Sequence, residues 1–304
     1  HTSLGIAAEE IHQVGLATIA ALDDEYQALG EKVLGTSDLT EIYARLREDP
    51  ALHFESGSEV REASEVAMAR AKEAMGDWFG TLPQADCLVY EIDSGPTAFY
   101  QRPAADGSRP GAFYVNTADP TRWGRFEIES MSFHEGIPGH HLQLAISGEL
   151  EGIPEFRKRA FIAAYSEGWG LYTERLADEM GLYSSDLDRI GMLSADSMRA
   201  TRLVVDTGMH AMGWGRQQAI DFVMANSPLS LASVTAEIDR YIGWPGQAVS
   251  YMIGRKEIEA IRSDAETALG DRFDIKGFHD VVLGSGLVPL PVLRRMVEAW
   301  VAAN

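Results

Sequence analysis

The sequence has few cysteines, no long apolar run and a shortage of basic residues, and each shortage excludes a class of protein. Cys87 is the single cysteine among 304 residues, so the chain can form neither an internal disulfide nor a thiolate metal cluster. No apolar run reaches the ~18 residues that a membrane-spanning helix needs. Lysine and arginine number 26 against 46 aspartates and glutamates, and the resulting net charge of −20 argues against a nucleic-acid partner.

The sequence does contain enough apolar residues, 45%, to build a core. Helices are predicted at 6–34, at 36–50 and after Ser56, which can form a capping box with Glu59. Aromatic and β-branched residues then mark three strands that we interpret as a small antiparallel sheet, at 87–92, 97–103 and 112–117. The remaining helices are predicted at 124–136, 138–148, 154–180, 186–212, 214–225, 231–242, 246–269, 274–283 and 289–303. We therefore predict a single, mainly α domain over residues 1–304, with a small antiparallel sheet just before a histidine-rich stretch.

This stretch, SFHEGIPGHHLQ at 132–143, begins like the zinc-peptidase signature H-E-x-x-H. In that signature, two histidines one helical turn apart bind one Zn²⁺, and the glutamate acts as general base toward the metal-bound water. His134 and Glu135 fit the first half of the pattern. Pro138 stands where the second histidine belongs, and it can neither bind a metal nor continue a regular helix.

Two histidines remain as candidates for the second ligand. On a straight helix, His140 would lie about 240° around from His134 on the wrong face, and His141 would lie on the right face but roughly 10.5 Å along the axis. A break or bulge at 136–139, which includes two glycines and a proline, would remove this difficulty. Two extra residues in the turn would suit His140 and three would suit His141, so the residues alone leave both alternatives open.

A third ligand is predicted in the segment AYSEGWGLYTERLADE, on the helix expected at 154–180. Glu167 lies in the middle of that helix among aromatic residues, where a buried carboxylate needs a partner. Glu174 follows it by seven residues and lies on the same helical face. The alternative interpretations are a solvated polar loop for the histidines and an ordinary salt bridge for Glu167.

Four motifs, HEGIPGHHLQ, YSEGWGLYTE, RLVVDTGMHAMGW and PGQAVSYMIG, resemble the bacterial domain-of-unknown-function family 885. That family is itself distantly similar to gluzincin peptidases of the carboxypeptidase Taq, thimet oligopeptidase and angiotensin-converting-enzyme type. The resemblance implies a helical gluzincin-like peptidase fold with a deep cleft, and one Zn²⁺ held by two histidines and a glutamate. Aligning the Gly-His of those peptidases with Gly139-His140 favours His140 as the second ligand and leaves a two-residue insertion. His141 remains the alternative, and Glu174 matches a glutamate that can hydrogen-bond a ligand histidine.

Further residues are candidates for oxyanion stabilisation and substrate binding. Related peptidases stabilise the oxyanion with a tyrosine or histidine from later helices, for which the candidates are His210 and Tyr251. Arg202 and Arg255 are candidates for binding a substrate carboxylate, although packing roles are an alternative for both. Asn116 is expected near the cleft, at the end of a strand whose edge could pair with an extended peptide.

These patterns predict a zinc-dependent peptidase in which Glu135 activates the water. The alternatives are a metal-dependent hydrolase of other amides or esters, and a peptide-binding protein with a structural or inactive metal site. Family members are usually longer and the chain starts at His1, so we expect it to be the C-terminal half of a longer protein. Its own N-terminal fragment, or a second copy, would then cover the apolar face of the first helix at Ile19, Leu22 and Tyr26. A cytoplasmic location is expected.

Overall fold

The computed structural model describes residues 1–304, and most of them are helical. The helices are α1 (Ala8–Leu34), α2 (Leu39–Glu48), α3 (Gly57–Trp78), α4 (Ile128–Glu135), α5 (His140–Glu149), α6 (Glu155–Arg159), α7 (Ala163–Glu179), α8 (Asp186–Ala211), α9 (Arg216–Ala225), α10 (Leu231–Gly243), α11 (Ser250–Leu269), α12 (Ile275–Leu283) and α13 (Leu290–Ala303). The strands are β1 (Cys87–Ile92), β2 (Ala98–Gln101) and β3 (Gly111–Asn116). The prediction of a mainly α chain with one small sheet before the histidine-rich stretch is confirmed.

The sheet is mixed, so the prediction of a wholly antiparallel sheet was wrong. Its strand order is β1-β3-β2, with β3 parallel to β1 and antiparallel to β2. The central strand is the most apolar, because Ala112, Phe113 and Val115 are all buried. The last strand in sequence therefore lies between the first two, where it loses most contact with water.

The predicted helix at 154–180 is two helices, α6 and α7, separated at 160–162. Backbone carbonyls at the end of α6 bond to groups distant in sequence: Leu287 N donates to Arg157 O, and Arg102 Nη1 donates to Lys158 O. These partners replace the hydrogen bonds that a continuing helix would have made. The break depends on tertiary contacts, which apolar periodicity does not reveal.

The apolar face of α1 is covered within the chain. Ile19, Leu22 and Tyr26 are buried in a cluster that includes Leu203 and Val204 of α8. The expectation that this face is exposed and available to a partner was therefore wrong. A larger core surrounds α4, α5 and α7 and includes residues from α3, β3, α11, α12 and α13. None of the helices is both long and apolar enough to cross a membrane, as predicted.

Candidate metal centre

The histidine-rich stretch forms a helix break. Helix α4 ends at Glu135 and α5 begins at His140, so the break covers 136–139 as predicted. The chain turns back sharply enough that a Cβ added to Gly139 would lie 1.9 Å from the carbonyl oxygen of His134. Only glycine fits such a close approach. The turn gives His134 and His140 a relative position that no straight helix provides.

Helix α7 binds the backbone groups that the break releases. The indole N–H of Trp169 lies 3.1 Å from Pro138 O and 3.2 Å from Gly139 O, and Thr173 Oγ1 shares its proton between Phe133 O at 3.2 Å and Gly170 O at 2.7 Å. Buried carbonyls that lose their helical partners need such replacements. The break and α7 are thus held together next to the candidate ligands.

His134, His140 and Glu167 converge on one point. One ligand atom from each lies within 4.8 Å of the other two. Glu167 Oε2 is 3.3 Å from His140 Nε2 and 3.7 Å from His134 Nε2. The two imidazole rings meet edge to face, with their centroids 4.8 Å apart. Two imidazole nitrogens and one carboxylate oxygen are a donor set that zinc accepts.

Glu174 fixes the orientation of His134. The Nδ1–H of His134 donates to Glu174 Oε1 at 2.7 Å, and Ser130 Oγ donates to Glu174 Oε2 at 2.8 Å. Because the carboxylate holds one proton on Nδ1, the nitrogen that faces the cluster is Nε2, which offers a lone pair to a metal once its own proton is released. Burial lowers the pKa of His134, but Glu167 and Glu174 outweigh it and raise the pKa to about 9. Burial alone would raise the pKa of Glu167, yet the two histidines hold it well below its ordinary value.

His141, the alternative second ligand, faces away from the cluster. Its Nε2–H donates to Ala85 O at 3.0 Å, and its Nδ1 accepts from the hydroxyl of Tyr100 at 2.9 Å. Burial lowers its pKa to about 4, so the ring is neutral. Both ring nitrogens are therefore engaged elsewhere, and the structure groups His140, not His141, with His134 and Glu167.

The residues present fit a zinc ion. A Cβ at Gly170 would come within 2.7 Å of the His134 ring, so glycine leaves the ring its place against α7. The side chain of Glu135, next to His134 in the sequence, is half-buried and makes no hydrogen bond or ion pair. An acidic side chain without a partner is available to accept a proton beside the cluster.

Tyr251 and two arginines form one wall beside the cluster. The Tyr251 ring lies nearly parallel to the His134 ring, with centroids 6.4 Å apart. The Arg202 guanidinium lies 4.6 Å from the Tyr251 ring centroid, and that of Arg199 lies 5.9 Å from it. Arg202 is neutralised by Glu237 at 2.7 Å. Burial, with the charge of Glu167, raises the pKa of Tyr251, so its hydroxyl keeps its proton.

Arg199 was missed in the sequence interpretation. Its side chain is buried, its Nε has no hydrogen-bond partner, and its Nη2 lies 3.8 Å from Glu174. A usable signal was the spacing of Arg199 and Arg202, three residues apart on one face of the long helix α8.

The other predicted site residues lie elsewhere. His210 is exposed at the end of α8, about 12 Å of helical rise beyond Arg202, and donates to Tyr241 O at 3.1 Å. Arg255 forms a buried ion pair with Asp196, so its charge is already neutralised. Asn116 donates to Gly95 O at 3.1 Å and accepts from Ala118 N at 3.1 Å, which closes the turns around β3.

The suggestion that β3 pairs with a peptide was wrong. Both edges of β3 are occupied, one by β1 and the other by β2. The unpaired edges of the sheet belong to β1 and β2.

The comparisons place this helical chain in a family. The model of the family described as "Bacterial protein of unknown function (DUF885)" matches residues 1–297, and the chain belongs to that family. No curated protein matches the chain significantly. The predicted membership is confirmed, whereas the relation to gluzincin peptidases stays a prediction.

Two solved structures resemble the chain. "The putative lipoprotein from Colwellia psychrerythraea" is 34% identical with a TM-score of 0.95, and the match covers 99% of this chain and 53% of that one. "A putative lipoprotein of unknown function from Shewanella oneidensis" is 21% identical with a TM-score of 0.84, and the match covers 98% of this chain and 57% of the other. The second shows the fold alone. The chain spans little more than half the length of either relative.

Proposed function

We propose that this chain carries the metal centre of a zinc-dependent peptidase. The observation that carries the proposal is the convergence of His134, His140 and Glu167 within 4.8 Å. Structural zinc sites have four protein ligands, whereas catalytic sites have three and an open position. Because His141 is bound to Tyr100 and Ala85, the set has three members, which favours a catalytic over a structural site.

The chain's own residues suit hydrolysis. His134, His140 and Glu167 would hold the ion, and Glu174 keeps the Nδ1 proton of His134 in place. Zinc, when bound, would acidify a coordinated water and polarise a carbonyl group. Glu135 would take the proton of the attacking water and pass it to the leaving amine. The Tyr251 hydroxyl is a candidate donor to the oxyanion.

Peptides are proposed as substrates because of the gluzincin resemblance of the motifs around these residues. A hydrolase of other amides or esters would use the same groups and remains the alternative.

A partner formed by an N-terminal fragment or a second copy stays a prediction, although the face of α1 no longer supports it. The cytoplasmic location stays a prediction, and an anchored location is the alternative, because the Colwellia psychrerythraea relative is described as a "putative lipoprotein". Cell fractionation with an antibody would decide the location.

Metal analysis tests the proposal directly. The protein, purified without chelator, should contain about one zinc per chain by inductively coupled plasma mass spectrometry. A His134→Ala variant should lose the metal. A His210→Ala variant should keep it, because His210 is exposed and lies outside the donor set. Absence of zinc in the purified protein, together with no uptake after zinc is added, would refute the proposal. Hydrolysis is then tested with a peptide library and, in parallel, with ester and amide libraries.

A further inference from the structure

A cavity of about 950 Å³ lies against helix α5, and its lining contains none of the three candidate metal ligands. Its walls are the loop before β1, the end of β2 with the hairpin that follows, α5, and α6. His140 belongs to the cluster, whereas the next residue, His141, contacts Tyr100 and Ala85, which both line the cavity. A volume of several hundred cubic ångströms, up to about 1,000 Å³, is typical of sites for small ligands.

The cavity is basic in a chain whose net charge is −20. Four basic side chains line it: Arg102, Arg109, Lys158 and Arg159. Lys158 and Arg159 share one acidic partner, Glu155, at 3.1 and 3.4 Å. The overall composition of the chain does not explain four basic side chains around one cavity.

The two acidic residues of the lining are already engaged. Asp86 forms an ion pair with Lys72. Glu149 accepts hydrogen bonds from the backbone N–H groups of Gln84 and Ala85, at 3.0 and 3.2 Å. Neither carboxylate contacts a basic side chain of the cavity, so the positive charge of Arg102 and Arg109 is not neutralised by the protein.

Arg102 and Arg109 are held in place by backbone carbonyls alone. Arg102 Nη1 donates to Lys158 O at 2.6 Å, and Arg109 Nη2 donates to Arg102 O at 2.6 Å. Each guanidinium has five N–H donors, so most donors of the pair remain free. Burial, with the charge of Arg159, lowers the pKa of Arg102. Two positioned, partly desolvated guanidinium groups without a counter-ion are well suited to an incoming anion.

We propose that this cavity binds a ligand carrying a phosphate-type dianion, held by Arg102 and Arg109. Planar guanidinium groups match the oxygens of phosphate in pairs, and two of them can neutralise its double charge. Lys158 and Arg159 add long-range attraction. The phosphate group belongs either to a free small molecule or to a lipid headgroup. The lipid source has support from Phe156 and Phe161, which flank the basic end of α6 and are 70% and 60% exposed.

Binding measurements separate these sources. Inorganic phosphate is titrated into the purified protein by calorimetry at constant ionic strength, with chloride as the competing anion. In parallel, co-sedimentation is measured with phosphatidylcholine vesicles that contain or lack phosphatidic acid. We expect saturable binding in one of these two arms, and the arm that binds identifies the source of the phosphate.

Variants decide whether the binding belongs to this cavity. Arg102→Gln with Arg109→Gln should weaken binding at least about tenfold, because both charged hydrogen-bond donors are lost. Arg122→Gln is the matched control, since Arg122 is exposed, forms no ion pair and lies outside the cavity. Should the double variant misfold, Arg159→Gln, at a side chain 68% exposed, should still weaken binding about twofold to fivefold. No binding in either arm, or equal binding by the cavity variants and Arg122→Gln, would overturn the proposal.

Discussion

Replacing Gly170 by alanine should displace His134 without removing any ligand. The new Cβ would lie 2.7 Å from His134 Cε1 and 2.8 Å from Nε2, whereas ordinary contacts of a Cβ begin near 3.4 Å. The ring would have to retreat by 3.4 − 2.7 = 0.7 Å. It has little room, because it is buried between Glu174, His140 and Tyr251.

The size of the effect follows from the bonds that the shift disturbs. A movement of that size strains the 2.7 Å bond from His134 Nδ1 to Glu174 or moves Nε2 away from Glu167. A hydrogen bond to a charged group contributes about 1.5–3 kcal/mol. Loss of the partner of a ligand histidine typically weakens metal binding about 10–100-fold. We therefore expect the zinc Kd of Gly170→Ala to rise by about 10–100-fold.

The assay is competition for zinc between the protein and a chromophoric chelator, with urea unfolding of the metal-free protein to establish that the variant folds. Gly76→Ala is the control, because an added Cβ on this glycine of α3 meets nothing within 4 Å. The control should bind zinc like the wild type and gain up to about 1 kcal/mol of stability from better helix propensity. A folded Gly170→Ala protein with a zinc Kd within about twofold of the wild type, well short of the loss expected for a disturbed ligand, would refute the assignment of His134.

Three further predictions follow from the site and the core. Glu135→Gln should retain zinc but lower kcat about 10²–10⁴-fold on any substrate found, because the amide cannot accept a proton; near-normal turnover would exclude Glu135 as the base. His140→Ala should abolish zinc binding while His141→Ala retains it, as measured by elemental analysis, and the opposite result would reassign the second ligand. Burial lowers the pKa of His279 to about 3. As the pH falls below 6.5, the unfolded state therefore binds a proton that the folded state does not, and the stability of the folded state decreases. From pH 7 to pH 5 this group should cost about 2 kcal/mol of unfolding free energy, and equal pH slopes for the wild type and His279→Gln would contradict it.

The residue types and spacings around the site were sufficient to predict the helix break and the candidate ligands. Pro138 and the glycines beside it exclude a continuous helix, and the structure has the break at those positions. The choice between His140 and His141 could not be made from the residues alone. It depends on the path of the turn at 136–139, which Trp169 and Thr173 hold from a helix about 30 residues further along the chain.

The errors in the fold prediction have a common cause, because each depends on contacts between distant segments. Helical periodicity continues through 160–162, where the helix ends because Leu287 and Arg102 bind the carbonyls of α6. Strand composition does not specify that β3 lies between β1 and β2. Arg255 has the chemistry of a substrate-binding arginine, but Asp196 on α8 neutralises it. The local sequence gives the chemical groups that are present, but tertiary packing determines which of them remain without a partner.

Helix α7 connects the folding of this region with its proposed chemistry. It supplies Glu167 to the donor set and Glu174 to His134, and its Gly170 leaves space for the His134 ring. The same helix supplies the Trp169 indole that binds the carbonyls of the break. A site whose third ligand, orienting carboxylate and supporting hydrogen bonds share one rigid helix has these groups fixed relative to one another. All of these residues lie between 128 and 179, so zinc binding requires only groups that this chain brings together. Turnover also requires a surface that recognises the substrate, and zinc binding and hydrolysis can therefore be tested as separate properties.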